Sequence, residues 1–99
     1  MNINITARKF KAHDTLKEFV SSEVHSLEKY NDDIINAEVI LSYQNNRDSI
    51  KTAEIVLQVP GQTLTATEDS DEFTKSISGS VEKLSRQLKK LKTKNTIRS

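Results

Sequence analysis

"AEIVLQVPGQTLTAT", residues 53 to 67, holds two strands and the turn between them. Ala53, Ile55, Leu57 and Val59 alternate with Glu54 and Gln58, the period-two mark of a strand with one buried face. Pro60-Gly61 then matches the central pair of a type II turn, because proline pre-sets φ and glycine accepts the positive φ that follows. Leu64 and Ala66, set against Thr63, Thr65 and Thr67, make a more polar return strand.

The same alternation extends toward the N-terminus. Ala37, Val39, Leu41 and Tyr43 alternate with Glu38 and Ser42, and the polar "QNNRDS" (Gln44 to Ser49) reads as the hairpin loop to the strand beyond. Ile40 falls on the wrong face of that pattern, which implies that the opposite side is partly covered. Asn2, Asn4 and Thr6 alternate with Ile3 and Ile5, a half-buried first strand. Between these two strands the period changes. Leu16, Phe19, Val20, Val24 and Leu27 recur at helical spacing, with Glu18, Glu23 and Glu28 on the solvent side. Asp14 stands where a carboxylate can cap the first turn, and "YNDD" (Tyr30 to Asp33) ends the helix.

On the C-terminal side, Asp69 and Glu72 have the spacing of a capping box. They precede Phe73, Ile77, Val81, Leu84, Leu88 and Leu91, an apolar stripe over about five turns. The order is therefore β-α-β-β-β-α. Both helices must cover one face of a four-stranded sheet, an α+β fold.

Ninety-nine residues, 34% of them hydrophobic and 29% charged, suit one small globular domain. We expect a single domain over residues 1–95 and a frayed tail over 96–99. There are no cysteines, which excludes disulfide stapling, Cys-rich zinc sites and thiol catalysis. The N-terminus shows no secretory pattern, and no apolar run approaches a membrane helix. A cytoplasmic location is the expectation.

Net charge is only +1, yet after Glu82 the chain has no acid at all. Lys83, Arg86, Lys89, Lys90, Lys92, Lys94 and Arg98 all lie there. Between Ala12 and Glu38 the bias is reversed, with only Lys17 and Lys29 as bases. The small net charge hides a dipolar molecule. Around the last helix Lys83, Gln87, Lys90 and Lys94 share one flank of the apolar stripe, with Arg86 just beyond, while Lys89 and Lys92 lie on the opposite flank. Such a strip of cations can follow a phosphate backbone and release its counterions. The plain alternative is a solvated face whose lysines complement the helix dipole. That alternative is weakened by the lack of interspersed acids for i,i+4 pairs. Arg8, Lys9 and Lys11, between the first strand and first helix, extend the patch if that connector lies near the last helix.

Catalysis finds little support. His13 and His25 lack a sequence-local partner, and neither Asp32-Asp33 nor the Glu68–Glu72 run has the glycine and oxygen spacing of a calcium loop. With two glycines there is no phosphate-cradling loop, so we expect no enzyme, no metal, no cofactor and no small-molecule substrate. Phe10, Phe19, Tyr30, Tyr43 and Phe73 mostly occupy core positions. Backbone and shape contacts to structured RNA are thus favoured over stacking on single-stranded bases.

The chain also resembles the ribosome hibernation-promoting factors, the family that includes protein Y. The resemblance is carried by "INIT" (Ile3 to Thr6), "LKEFV" (Leu16 to Val20), "LEKY" (Leu27 to Tyr30), "VPG" (Val59 to Gly61) and "EKLSRQLKKLKTK" (Glu82 to Lys94), in that order along nearly the full length. It implies a fold similar to double-stranded-RNA-binding domains. It further implies binding to 16S ribosomal RNA in the messenger and transfer RNA channel of the small ribosomal subunit, silencing idle ribosomes in stationary phase or stress. By position, Lys83, Arg86, Gln87, Lys90 and Lys94 would face RNA phosphates, supported by Lys89 and Lys92. The chain resembles the short form, without a second domain, and we expect a monomer away from the ribosome. The competing expectation, from another class, is a non-catalytic module whose basic last helix docks on an acidic protein partner. A basic helix lying on anionic membrane is disfavoured, because its apolar stripe is needed to cover the sheet.

Overall fold

The computed structural model describes residues 1–44 and 50–98, and the side chains of residues 1–43 and 50–91. The expected hairpin loop at 44–49 therefore lies outside the described residues, save for the backbone of Gln44 at the end of its strand. The elements are β1 (Asn2–Ala7), α1 (Asp14–His25), a short 3-10 turn (Ser26–Lys29), β2 (Asn36–Gln44), β3 (Ile50–Val59), β4 (Gln62–Ser70) and α2 (Phe73–Arg98). The four strands form one sheet in the order β1-β2-β3-β4. β1 runs parallel to β2, so the chain needs α1 as a crossover between them; the other pairs are antiparallel. Gly61 takes φ +86°, the left-handed position of the β3–β4 turn, where glycine avoids a Cβ clash.

The register aligns the apolar positions in rows. Ile3, Ala37, Leu57 and Leu64 form one row, and Ile5, Val39, Ile55 and Ala66 the next. The β2 and β3 members are buried, and against them pack Val20, Val24 and Leu27 from the first helical segment and Ile77, Val81, Leu84 and Leu88 from α2. Both helices thus cover one face of the sheet. On the other face Ile40 is half-buried opposite Glu54, beside Val56, and no described helix lies over them.

Small residues let α2 sit close to the sheet. Ser76 and Ser80 are fully buried, and their hydroxyls donate to the β3 carbonyls of Lys51 (2.6 Å) and Ala53 (2.7 Å). Each buried hydroxyl is thereby satisfied within the core. Ser78, on the neighbouring flank, donates to Glu23 Oε1 at 2.9 Å and so links α2 to α1.

Two element boundaries differ from the sequence reading. The capping box at Asp69 and Glu72 does not form. Asp69 still belongs to β4, where its carboxylate accepts from Thr52, its cross-strand partner, at 2.6 Å. The first helical N–H, from Ser76, is received by the Glu72 carbonyl, one turn too late for Asp69 to cap. At the other helix, His13 occupies the N-cap with no side-chain cap bond. α1 gives way to a 3-10 turn after His25, before "YNDD" is reached; the tighter turn still buries Leu27 completely.

Candidate nucleic-acid interface

The basic strip of α2 is positioned by the same stripe that buries Ile77, Val81, Leu84 and Leu88. Once those residues face the sheet, their flanks must overhang its neighbours. One flank overhangs β4. There Lys83 Nζ reaches Glu68 Oε1 at 2.7 Å and donates to the Thr67 carbonyl, also at 2.7 Å. One turn on, Gln87 Nε2 donates to the Thr65 carbonyl at 3.1 Å. β4 is an edge strand, so two of its carbonyls take donors from the helix. The other flank overhangs the 3-10 turn. Lys89 Nζ lies 5.2 Å from the Tyr30 ring centroid, and Lys29 Nζ lies 5.1 Å from the same ring. This is the range of a cation–π contact.

Arg86 pairs with Glu82 at 2.6 Å, an i,i+4 salt bridge along α2. The lack of acids after Glu82 therefore does not leave the strip unpaired. Lys83 borrows its acid from β4 and Arg86 borrows one from the preceding turn. Lys90 is exposed and makes no ion pair or hydrogen bond among the described residues. The side chains of Lys92 and Lys94 lie outside the described ones.

The connector with Arg8, Lys9 and Lys11 docks at the other end of α2. Phe10 stacks on Phe73, the first residue of the helix, at 4.9 Å between centroids, and meets Tyr43 edge-on at 5.9 Å. The Arg8 N–H donates to the Leu41 carbonyl at 2.9 Å, continuing the ladder of β1. Lys9 then takes φ +65°, in the left-handed region that non-glycine residues rarely adopt. All three cations are exposed. Ten residues of helix separate Phe73 from Lys83, about 15 Å along the axis. The structure thus brings Arg8, Lys9 and Lys11 to α2, but as a second cluster set apart from Lys83 to Lys90.

Acid–base features elsewhere are surface pairs. His25 Nδ1 lies 2.8 Å from Glu28 Oε1, and this hydrogen bond holds the Glu28 carboxyl below the usual glutamate range. Hydrogen bonding from Lys75, with help from Ser70, lowers Asp71 likewise. Among the described residues no three His, Asp or Glu side chains converge as metal ligands do, and no helix is long and apolar enough to cross a membrane.

Reading the sequence alone misses four participants. Glu68 stands in the Glu68–Glu72 run, which reads only as lacking a calcium-loop pattern, Thr65 and Thr67 take part only through their backbones, and Tyr30 reads as a core position. Only the register of β4 beneath α2 could have pointed to the first three.

Residues 3–96 match the family model described as sigma 54 modulation protein / S30EA ribosomal protein. The chain belongs to this family. The ribosome hibernation promoting factor of Escherichia coli strain K12 is 32% identical over 94 residues, which span 95% of this chain and 96% of that one. Among solved structures, a ribosomal subunit interface protein from Coxiella burnetii superposes with a TM-score of 0.84 at 27% identity, covering 94% of this chain and 99% of that one. The N-terminal domain of Thermus thermophilus protein Y gives 0.83 at 26% identity, covering 92% and 99%. This family of hibernation promoting factors and protein Y therefore shares with the present chain a sheet of four strands carrying two helices on one face.

Proposed function

We propose that this chain is a non-catalytic ribosome hibernation factor of the cytoplasm. It binds 16S ribosomal RNA in the messenger and transfer RNA channel of the small subunit and so silences idle ribosomes. The observation that carries this reading is the cationic flank of α2, Lys83 to Lys90, hydrogen-bonded along an edge strand through Lys83 and Gln87 in a chain of this family. A helix flank fixed in this way presents charges at intervals of about 5.4 Å per turn, suited to a phosphate backbone. Lys90 stands on this flank with Lys83, Arg86 and Gln87, and Lys94 follows on the same helix; Lys89 and Lys92 support them from the opposite flank, which overhangs the 3-10 turn. Arg8, Lys9 and Lys11 offer a second contact near the start of α2.

The test is co-sedimentation of the purified protein with small ribosomal subunits at rising salt. Neutralising about five phosphates gives a slope of log affinity against log salt of roughly −3.5 to −4.5. Loss of binding after nuclease treatment of the subunits is expected, whereas an acidic protein partner would survive that treatment. Absence of co-sedimentation at low salt refutes the proposal.

A further inference from the structure

We infer that Glu68 is a built-in brake on polyanion binding: it competes with RNA phosphate for the Lys83 ammonium. The inference rests on the RNA-binding reading above and assigns a role within that same surface.

Glu68 stands where the fold asks for an apolar side chain. The register row Ala7, Leu41, Ala53 continues on β4 at Glu68, on the face that carries the helices. In the two preceding rows the β4 positions are Leu64 and Ala66, both buried. At Glu68 the row ends in a carboxylate whose stem runs beneath α2. The helix has Gly79 at this point, and a Cβ there would lie 2.6 Å from Glu68 Cγ and 3.0 Å from Cδ. The missing side chain leaves a notch, and the carboxylate emerges from it against Lys83, one turn further along.

The pair remains open to solvent, with the Lys83 and Glu68 side chains 47% and 37% exposed. A phosphate can therefore reach the ammonium, but it finds an anion already at 2.7 Å. A lysine neutralised by its own protein displaces few counterions from a polyanion, so the strip starts with less than its formal charge. Arg86 is matched in a similar way by Glu82, but along its own helix and without a notch to hold the acid. Of the ion pairs described for Lys83 and Arg86, only Glu68–Lys83 joins a strand to the helix.

Glu68→Gln tests this directly. It keeps the length of the side chain and its place in the notch while removing the charge. Freeing one cation is expected to steepen the salt slope by about 0.7 to 0.9. Affinity for small ribosomal subunits, and for a generic duplex RNA used as a second probe, then rises about tenfold at 0.05 M salt and about three- to fourfold at 0.2 M. Lys83→Gln serves as the second arm. In that background Glu68→Gln is expected to lose most of its effect, because the cation it frees is gone. Unchanged or weaker binding by Glu68→Gln, with an unchanged slope, overturns the inference while wild-type binding still upholds the RNA reading. An equal gain with and without Lys83 also overturns it, since the effect is then a general charge effect. Wild-type protein that binds neither probe at low salt removes both readings together. Thermal melts of each variant confirm that the fold is intact.

Discussion

Gly79 has no side chain, and the stem of Glu68 fills the space one would occupy. Glycine inside a helix ordinarily costs about 1 kcal/mol relative to alanine. Gly79→Ala alone sets that gain against a displaced Glu68. With Glu68→Ala also present the obstruction is gone, so Gly79→Ala is expected to stabilise that background by about 0.8–1 kcal/mol and wild type by clearly less. Denaturant melts of the four proteins measure the difference. Identical effects in both backgrounds would show that the notch is not filled by Glu68. A second residue-scale prediction concerns Glu28, whose carboxyl is lowered by its hydrogen bond from His25. A carboxyl lowered in the folded state contributes stability above its ordinary range, lost as pH falls through the lowered value. His25→Ala should let Glu28 titrate nearer an ordinary glutamate, read by NMR. No movement of the Glu28 midpoint would remove the assigned cause.

At the scale of elements, α2 is held to the sheet by two kinds of contact. Its lower face carries Ile77, Leu84 and Leu88, all essentially without exposure. Leu84→Ala should cost about 2–5 kcal/mol, the usual range for a buried leucine. Ser80 is equally buried and donates to the Ala53 carbonyl at 2.7 Å. Ser80→Ala is expected to cost about 1 kcal/mol, the net worth of such a bond. Ser80→Leu should cost more, because added methylenes have no room between helix and strand. Chemical denaturation checks all three, and a Ser80→Leu protein as stable as wild type would mean that α2 does not lie so close to β3. The flank contacts of Lys83 and Gln87 with β4 are more exposed and add little stability of their own. Their effect is geometric, since they fix the angle at which the cationic flank leaves the sheet.

At the scale of the whole molecule, charge is shared unevenly among the elements. Acids gather along α1, and cations gather on α2 and the β1–α1 connector. Lys90 offers the cleanest test of that arrangement, because it is exposed and unpaired among the described residues. Lys90→Glu should leave the melting curve unchanged and weaken binding to small ribosomal subunits by at least about tenfold at 0.1 M salt. Undiminished binding would move the contact surface elsewhere. Lys83→Glu is a poorer test, since it sets a new carboxylate against Glu68 and disturbs β4 as well as any RNA contact.

Much of this was legible in the residues themselves. Strict alternation in Ala53 to Val59 and the Pro60-Gly61 turn specify a hairpin, because side chains on a strand change face at every residue. The stripe from Phe73 to Leu91 specifies which side of α2 is buried and hence which flanks carry cations. Boundaries were less legible. Asp69 has the spacing of a cap, but a cross-strand bond to Thr52 outcompetes that use, and sequence does not show which local partner prevails. The state of the cations was hidden for a related reason. Glu68 and Lys83 lie 2.7 Å apart, although fourteen residues of sequence stand between them. Local sequence determined the elements and their apolar faces, because periodicity and turn chemistry act over a few residues. Tertiary structure alone decided that Lys83 is paired, because that depends on the register of β4 beneath α2.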